Sequence, residues 1–427
     1  MSLAVNGNEI RTAQRNQYVQ QFIERQLPRT STSSRYDSVV IAGNGIGAQV
    51  FAAQLAKNPQ FEGKVTLVAP AVSESRRLIN GVSLRGSAAD FLCSALGTDH
   101  ESLLAVSAGT SSPAPAAYRQ TVAAAIPSGN SWHIKSPGTW QGGNWATNPI
   151  IYGVRNSRLV AGMRELLADH PISFIEDKVQ SADELRSYAE GTRPLLVNAT
   201  PNPTLFGGES RKPRRLVLAV QAPMIEKKIN APLEVETAFA PIIRRDNIID
   251  VGYFTPFADP LSPRSTWYGI LARVVDADSG FHKEHELDVM TDELGGLAES
   301  MGLEIDDPSE TLARALVPAS PWGKVTPSQP GTLDLKRMYS GGAPCYYADG
   351  MVSSAIGGVI GAEAVVRGVD ADQAIRAALR PFRRHNYLWW IETTKTALFS
   401  DYLLRLNPRA AMLYPHTAGL NLWQSAA

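Results

Sequence analysis

The sequence predicts an α/β fold in which a nucleotide-binding domain with a parallel sheet carries an inserted domain with an antiparallel sheet, followed by a helical tail. Three observations lead to this prediction. A strand, a glycine turn and a helix follow one another over residues 39–56. Alternating apolar residues recur over residues 214–275. A second glycine-rich loop, residues 341–351, leads into a helix of small residues.

The glycine turn is the strongest sign of a nucleotide partner. Gly43 is placed for a tight turn after the strand, and Gly45 for close approach of the backbone to a pyrophosphate. Ala48 is small enough for the helix to pack closely on the strand. Ile46 and Gly47, a further small residue, lie inside the turn, and the helix that follows from Gln49 offers free N–H groups and a positive end that favour an anion. We therefore predict that this turn binds a nucleotide; the alternative is a glycine turn with a purely structural role.

A second strand, residues 64–70, closes the βαβ unit and departs from the usual pattern. In dinucleotide-binding folds this strand ends in Asp or Glu, which accepts hydrogen bonds from the adenosine ribose. Here the strand ends in Ala69 and Pro70, and Glu74 follows several residues downstream. Either the ribose is held in another way, or the nucleotide is held loosely.

The middle of the chain predicts the second domain. A helix over residues 158–168 and a strand over residues 194–200 return the chain to the nucleotide-binding domain. Residues 98–150 show no sustained periodicity of apolar residues and are interpreted as helices and loops of a substrate domain. A further helix is expected over residues 282–303. Strands of an antiparallel sheet are expected at 216–220, 233–238, 247–254 and 266–275.

Composition and charge restrict the possible functions. The 41 basic and 41 acidic residues cancel, which gives no reason to expect a nucleic acid or a membrane surface as partner. Two cysteines and seven scattered histidines argue against disulfides and against a metal site. No apolar stretch reaches the ~18 residues of a membrane span, and the polar first 35 residues do not form a signal peptide. We expect a cytoplasmic protein without stable membrane insertion.

The late glycine-rich loop is a second place where an anion or a carbonyl group is expected to bind. It contains Pro344 and ends at Gly350 and Met351, where a helix begins whose first N–H groups have no partner within the helix. The helix is rich in Gly, Ala and Ser. Tight packing against a neighbouring helix would explain the same composition. Residues 371–427 are expected to form C-terminal helices that pack on the body of the protein.

Taken together, the two glycine-rich segments and the strands between them resemble the FAD-dependent monooxygenase superfamily, which includes aromatic hydroxylases, geranylgeranyl reductases and lycopene cyclases. The resemblance implies a Rossmann-like FAD-binding domain of the glutathione-reductase type. It also implies that the late helix directs its N-terminus at the flavin, so that Pro344, Gly350 and Met351 lie beside it. The Gly-Asp pair that binds the ribityl chain in this superfamily would precede Gly341, where the chain has Arg-Met-Tyr-Ser. The implied domains are an N-terminal extension (1–35), an FAD-binding domain (36–97, 151–205 and 331–370), a substrate domain (98–150 and 206–330) and C-terminal helices (371–427).

Residues 65–82 look most like the styrene and indole monooxygenase branch, which also lacks the ribose carboxylate. The likeness rests on the second strand, on the Arg-Leu-Ile-Asn sequence that begins at Arg77, and on residues 174–177. It implies that Arg77 lies along the FAD and that Asn80 lies near the reactive ring edge and the substrate, as the catalytic residue. Enzymes of this branch receive reduced FAD by diffusion from a separate NAD(P)H:flavin reductase, so they do not need to hold FAD tightly.

The reaction implied by this resemblance transfers one oxygen atom from a flavin C4a-hydroperoxide to an apolar or aromatic small molecule. Asn80 would hydrogen-bond the peroxide or the substrate. Two alternatives remain. The first is an FAD-dependent reductase or cyclase of an isoprenoid-like substrate, which the loop that ends at Met351 permits. The second is a non-redox protein on a degenerate flavoprotein fold, which would explain both departures from the usual pattern.

Overall fold

A computed structural model gives the fold of the chain. Three of the residues that the sequence singled out, Arg77, Asn80 and Pro344, lie outside the residues that it describes. The structure describes residues 15–17, 19–28, 35–72, 83–108, 117–119, 121–122, 124–128, 131–135, 150–200, 202, 204–207, 215–227, 238–239, 242–245, 248–256, 264–265, 267–300, 302–319, 328–335 and 350–380.

The described residues form a mixed α/β structure. Its strands are β1 (Ser38–Ala42), β2 (Lys64–Ala69), β3 (Ser83–Arg85), β4 (Ala117–Arg119), β5 (Thr121–Val122), β6 (Ala124–Ser128), β7 (Ser131–Lys135), β8 (Ile150–Gly153), β9 (Ile172–Glu176), β10 (Pro194–Asn198), β11 (Arg215–Glu226), β12 (Ala238–Phe239), β13 (Ile242–Arg245), β14 (Ile248–Pro256), β15 (Trp267–Asp276), β16 (Leu303–Ile305), β17 (Ala313–Ala319) and β18 (Thr332–Asp334). Its helices are α1 (19–26), α2 (Ile46–Ala56), α3 (Gly86–Leu96), α4 (His100–Ala108), α5 (Asn156–Leu166), α6 (Ala182–Ser187), α7 (Lys283–Ser300), α8 (Pro308–Thr311), α9 (Gly350–Val366) and α10 (Ala371–Ala378).

Five strands in the described part of the chain form a parallel sheet in the order β18-β10-β1-β2-β9. Every residue of β1 is buried, as expected for a parallel strand that is covered on both faces. Val39 and Ile41 face the core that α2 shares, whereas Val40 and Ala42 face the core that α6 shares. The predicted βαβ unit is confirmed, because α2 connects the neighbouring parallel strands β1 and β2.

A separate antiparallel sheet is built around the long strands β11, β15 and β14, with β15 in the middle and hydrogen-bonded to the other two. α7 covers one face of this sheet with Leu287, Met290 and Leu294. The apolar alternation in the sequence therefore predicted the sheet correctly. Most of the expected strand at 233–238 lies outside the described residues.

The interpretation of residues 98–150 as helices and loops is wrong in part. Residues 100–108 are helical, but β4 to β7 occupy much of the stretch from 117 to 135. β5 joins the edge of the antiparallel sheet by pairing with β12, and β6 and β7 form a hairpin. These strands are short, and two of them find their partners far along the chain, so no periodic pattern in the local sequence marks them.

The N-terminal helix α1 is part of the core beside the parallel sheet. Phe22 and Ile23 are nearly fully buried, and the ring of Phe22 meets that of Phe91 edge to face with 5.5 Å between centroids. Glu24 binds Arg367, just after α9, with 2.9 Å between Oε1 and Nη2. α1 is therefore held both by apolar burial and by an ion pair at the end of α9.

None of the helices within the described residues combines the length and the apolar character that crossing a bilayer would require.

Replacing Phe22 by Ala tests whether α1 contributes to the stability of the fold. The substitution removes a buried ring from a packed site, which typically costs about 3–5 kcal/mol. We expect a loss of that order in the free energy of unfolding measured with urea, whereas Gln21→Ala on the exposed face of the same helix should cost less than about 0.5 kcal/mol. Equal losses for the two variants would mean that α1 does not dock as described.

Candidate functional site

Gly43 makes the sharp turn that leads from β1 towards α2. Its φ of +112° lies in the region that favours glycine, and an added Cβ would lie 2.8 Å from the carbonyl oxygen of Ala199. Its N–H donates to the carbonyl of Val68 at 2.8 Å. The turn is therefore wedged between the ends of β2 and β10, and glycine is required there by the protein itself.

Gly45 differs from Gly43 in its backbone conformation and in its surroundings. Its φ of −76° and ψ of 171° are open to any residue, and an added Cβ would meet no protein atom within 4 Å. It is exposed and immediately precedes α2. Nothing in the described fold demands glycine at this position. A backbone that must come close to a ligand gives a reason for it.

The N-terminus of α2 presents unpaired donors beside Gly45. The first hydrogen bond of the helix runs from the N–H of Gln49 to the carbonyl of Gly45 at 3.1 Å, so the N–H groups of Ile46, Gly47 and Ala48 have no partner within the helix. No side chain caps this end, and its first turn contains no acidic residue. The positive end of α2 is therefore available to an anion.

Two amide side chains that the sequence analysis missed support this turn. The Nε2 group of Gln49 donates to the Oδ1 of Asn44 at 3.1 Å and to the carbonyl of Val160 at 2.8 Å. Gln49 is fully buried, and within the described residues the Nδ2 group of Asn44 is buried without a hydrogen-bond partner. A glutamine on a mostly apolar helix was the available signal. The hydrogen bonds of Gln49 connect the glycine turn to α5, and the Nδ2 group of Asn44 remains as a buried donor beside the turn.

The late helix α9 packs directly against α2 through small residues, as its composition predicted. A Cβ on Gly358 would lie 2.9 Å from the carbonyl oxygen of Gly47, and one on Gly361 would lie 3.2 Å from the ring of Phe51. Further along, the carboxylate of Glu363 accepts a hydrogen bond from Gln54 at 2.6 Å. Contacts advance in the same direction along both helices, so the helices run parallel.

Because the helices are parallel, their N-termini point to the same edge of the parallel sheet. Gly358 lies level with Gly47 near the start of α2, and Gly350 begins α9 eight residues earlier. At 1.5 Å per residue, α9 therefore extends roughly 12 Å beyond the start of α2. Its first turn contains no acidic residue, and Met351 packs partly against the core. The site thus has two helix N-termini, and that of α9 lies further out than that of α2.

A rim of hydroxyl and amide side chains follows β10 next to Gly43. The Oδ1 of Asn198 accepts hydrogen bonds from the N–H and the hydroxyl of Thr200, at 3.0 and 2.8 Å. Asn202 repeats the arrangement with Thr204, at 3.0 and 2.9 Å. These local turns hold the segment that closes over Gly43 in a fixed shape. The Asn-x-Thr-x-Asn-x-Thr spacing in the sequence was the signal that would have predicted them.

In the described part of the chain, neither a metal-ligand cluster nor a reactive cysteine offers a competing site. No cluster of three or more metal-ligating side chains occurs among those residues. Cys93 is fully buried in α3, and burial raises the pKa of its thiol to about 12. A thiol with that pKa is not a nucleophile near neutral pH.

The two glycines of the turn should respond differently to the same substitution. Gly43→Ala places a Cβ against the carbonyl of Ala199 at a positive φ, and we expect it to lower the free energy of unfolding by at least about 2 kcal/mol. Gly45→Ala adds a Cβ into open space and should change stability by less than about 0.5 kcal/mol. Thermal and urea unfolding of both variants check this. A large loss at Gly45 would show that its glycine serves the fold.

Comparisons with known proteins bear on the fold. No family model and no curated protein matches the chain. Among solved structures, the chain is similar to Xcc4156, a flavin-dependent halogenase from Xanthomonas campestris, with a TM-score of 0.52 and 15% identity over 84% of this chain and 77% of that chain. It is also similar to the halogenase PltM, with a TM-score of 0.53 and 14% identity over 86% and 76% of the two chains. A tryptophan 6-halogenase from Streptomyces toxytricini gives a TM-score of 0.52 and 13% identity over 83% and 79%. The chain therefore shares the fold of these solved structures, a mixed α/β fold with a parallel sheet and a separate antiparallel sheet.

Proposed function

We propose that this protein is a flavin-dependent monooxygenase that uses reduced FAD to transfer one oxygen atom to an apolar or aromatic small molecule. The observation that carries the proposal is the parallel pair α2 and α9, whose N-termini face the same edge of the sheet at two different depths. One N-terminus lies beside a glycine turn that is open at Gly45. The other lies roughly 12 Å further out.

The two anionic parts of reduced FAD match these two ends. The pyrophosphate fits the N–H groups of Ile46, Gly47 and Ala48, since Gly45 leaves room for it and no acidic side chain opposes it. The buried Nδ2 donor of Asn44 is a group that a ligand oxygen at the turn would satisfy. The reduced ring would lie at the start of α9, where the helix favours negative charge.

In this proposal reduced FAD supplies the chemistry by activating dioxygen. The residues of the chain hold the cofactor, exclude water and position the substrate. Gly350, Met351 and Pro344 would line the ring, and Arg77 would lie along the cofactor. Asn80 would donate a hydrogen bond at the reacting oxygen. The roles of Pro344, Arg77 and Asn80 rest on the resemblance stated above for residues 65–82 and for the late loop.

A separate NAD(P)H:flavin reductase is the proposed source of reduced FAD. Two departures from the usual pattern support this: Ala69 and Pro70 at the end of β2, and the Arg-Met-Tyr-Ser sequence before Gly341. Each removes a carboxylate that helps to hold FAD in the usual pattern. The same departures support the second candidate, a non-redox protein on this fold. A flavin-dependent reductase or cyclase remains a third candidate.

Product analysis separates the monooxygenase from the non-redox candidate. Purified protein is supplied with FAD, a flavin reductase, NADH and air, together with styrene, indole or an aryl sulfide, with and without bromide. We expect oxygenated product that needs both the protein and reduced FAD. Halogenated product only with bromide would move the assignment to the halogenase reaction named for the similar structures. No product and no oxygen uptake beyond that of free reduced FAD would favour the non-redox candidate.

Asn80→Ala tests the residue assigned to oxygen transfer. A positioned donor in a dry site contributes on the order of 2 kcal/mol or more to such a step, whereas a surface asparagine contributes little. We expect the variant to fold and to bind reduced FAD, but to release hydrogen peroxide in place of most of the oxygenated product. Asn16→Ala, an exposed position on the N-terminal segment, is the control and should leave the ratio of peroxide to product unchanged. An unchanged ratio in Asn80→Ala would remove Asn80 from the site.

A further inference from the structure

We infer that Glu176, at the carboxyl end of β9, holds the adenosine ribose of FAD in place of the acidic residue that β2 lacks. This inference rests on the proposed FAD site. Most dinucleotide-binding folds place an Asp or Glu at the end of the second strand, where it accepts hydrogen bonds from the ribose hydroxyls. In this chain that position is Ala69, followed by Pro70, and neither side chain can accept a hydrogen bond.

The strand register places a carboxylate at the same level, one strand away. β9 pairs in parallel with β2, and Glu176 is the direct partner of Ala69. Neighbouring strands lie about 4.8 Å apart, a distance that a glutamate side chain spans. β2 itself adjoins β1, whose end leads into the glycine turn. Glu176 therefore lies at the site edge of the sheet, two strands from Gly43.

The alternation of β9 puts Glu176 on the face of the sheet where the cofactor is expected. Ile172 and Phe174 pack on the core that α2 shares, whereas Ile175 packs on the opposite core with α6. The guanidinium of Arg164 in α5 lies 5.1 Å from the centroid of the Phe174 ring, which again marks this face. Since side chains alternate along a strand, Glu176 shares the face of Phe174 and of α2.

The carboxylate of Glu176 is also available to a ligand, whereas that of Asp177, the next residue, is not. Its side chain is exposed and makes no hydrogen bond or ion pair with the described residues. The carboxylate of Asp177 is engaged instead: it accepts hydrogen bonds from the hydroxyl of Tyr188 and from the N–H of Lys178, and both hold its pKa below the usual range. A free carboxylate level with the missing one is the group that vicinal hydroxyls would bind.

The test compares FAD with FMN, which has the flavin and ribityl phosphate but no adenosine. Calorimetric titration of the full-length protein uses Glu176→Gln and, as matched control, Glu62→Gln, which removes the same charge from an exposed residue before the opposite end of β2. We expect Glu176→Gln to weaken FAD binding about tenfold and to leave FMN binding unchanged. Glu62→Gln should change neither. Unfolding curves confirm that each variant is folded.

The sign of the change in FAD affinity in Glu176→Gln separates a lost hydrogen bond from a change in charge. Removing a negative charge near an anionic cofactor would by itself strengthen binding, so a loss of affinity points to a hydrogen bond. Competition against FAD by ADP and by 2′,3′-dideoxy-ADP locates it: the wild type should prefer ADP, and Glu176→Gln should not. Unchanged or tighter FAD binding by Glu176→Gln overturns the inference, as does a loss confined to Glu74→Gln. If the wild type binds neither FAD nor FMN, oxidised or reduced, the proposed function fails together with it.

Discussion

The close approach of α9 to α2 is the constraint on which the candidate site depends. An added Cβ on Gly358 would lie 2.9 Å from the backbone of Gly47, so the helices touch through glycine and no larger residue fits. This contact brings the start of a helix from the end of the chain to the glycine turn near its beginning. Two positive helix ends then meet one edge of the parallel sheet, and a dinucleotide with negative charge on its pyrophosphate and on its reduced flavin ring becomes a suitable ligand.

A buried polar cluster at the other end of the two helices fixes how far they slide past each other. Glu363 accepts hydrogen bonds from Gln54 at 2.6 Å and from Asn58 at 3.3 Å. Arg367 lies 3.5 Å from the same carboxylate and binds Glu24 of α1 at 2.9 Å. Because buried polar groups without partners are costly, a shift of one turn would be unfavourable. The N-terminal helix therefore supports the relative position of the two N-termini, although it lies at the far end of the pair.

Much of this arrangement could be predicted from the sequence, because the signals are local. The turn at Gly43, the start of α2 and the late helix are each marked by glycines at short spacing. The hydrogen bonding of Asn44 and the proposed role of Glu176 could not be predicted. The first depends on Gln49, which also contacts α5, and the second depends on the register between β2 and β9. The strands within residues 117–135 were also missed. β4 and β5 pair with strands elsewhere in the chain, β6 and β7 form a short hairpin, and the local sequence has no hydrophobic periodicity that marks any of them.

Anaerobic titration of the purified protein with oxidised and with chemically reduced FAD tests most directly whether the paired helix ends form a flavin site. In the proposed site the positive end of α9 would favour the anionic reduced ring, and no acidic side chain lies in the first turn of α9. We expect reduced FAD to bind about tenfold more tightly than oxidised FAD, a difference of about 1.4 kcal/mol, and the protein to purify largely colourless. Equal affinity for both forms, affinity for neither, or a yellow preparation that retains stoichiometric FAD on dialysis would contradict this account.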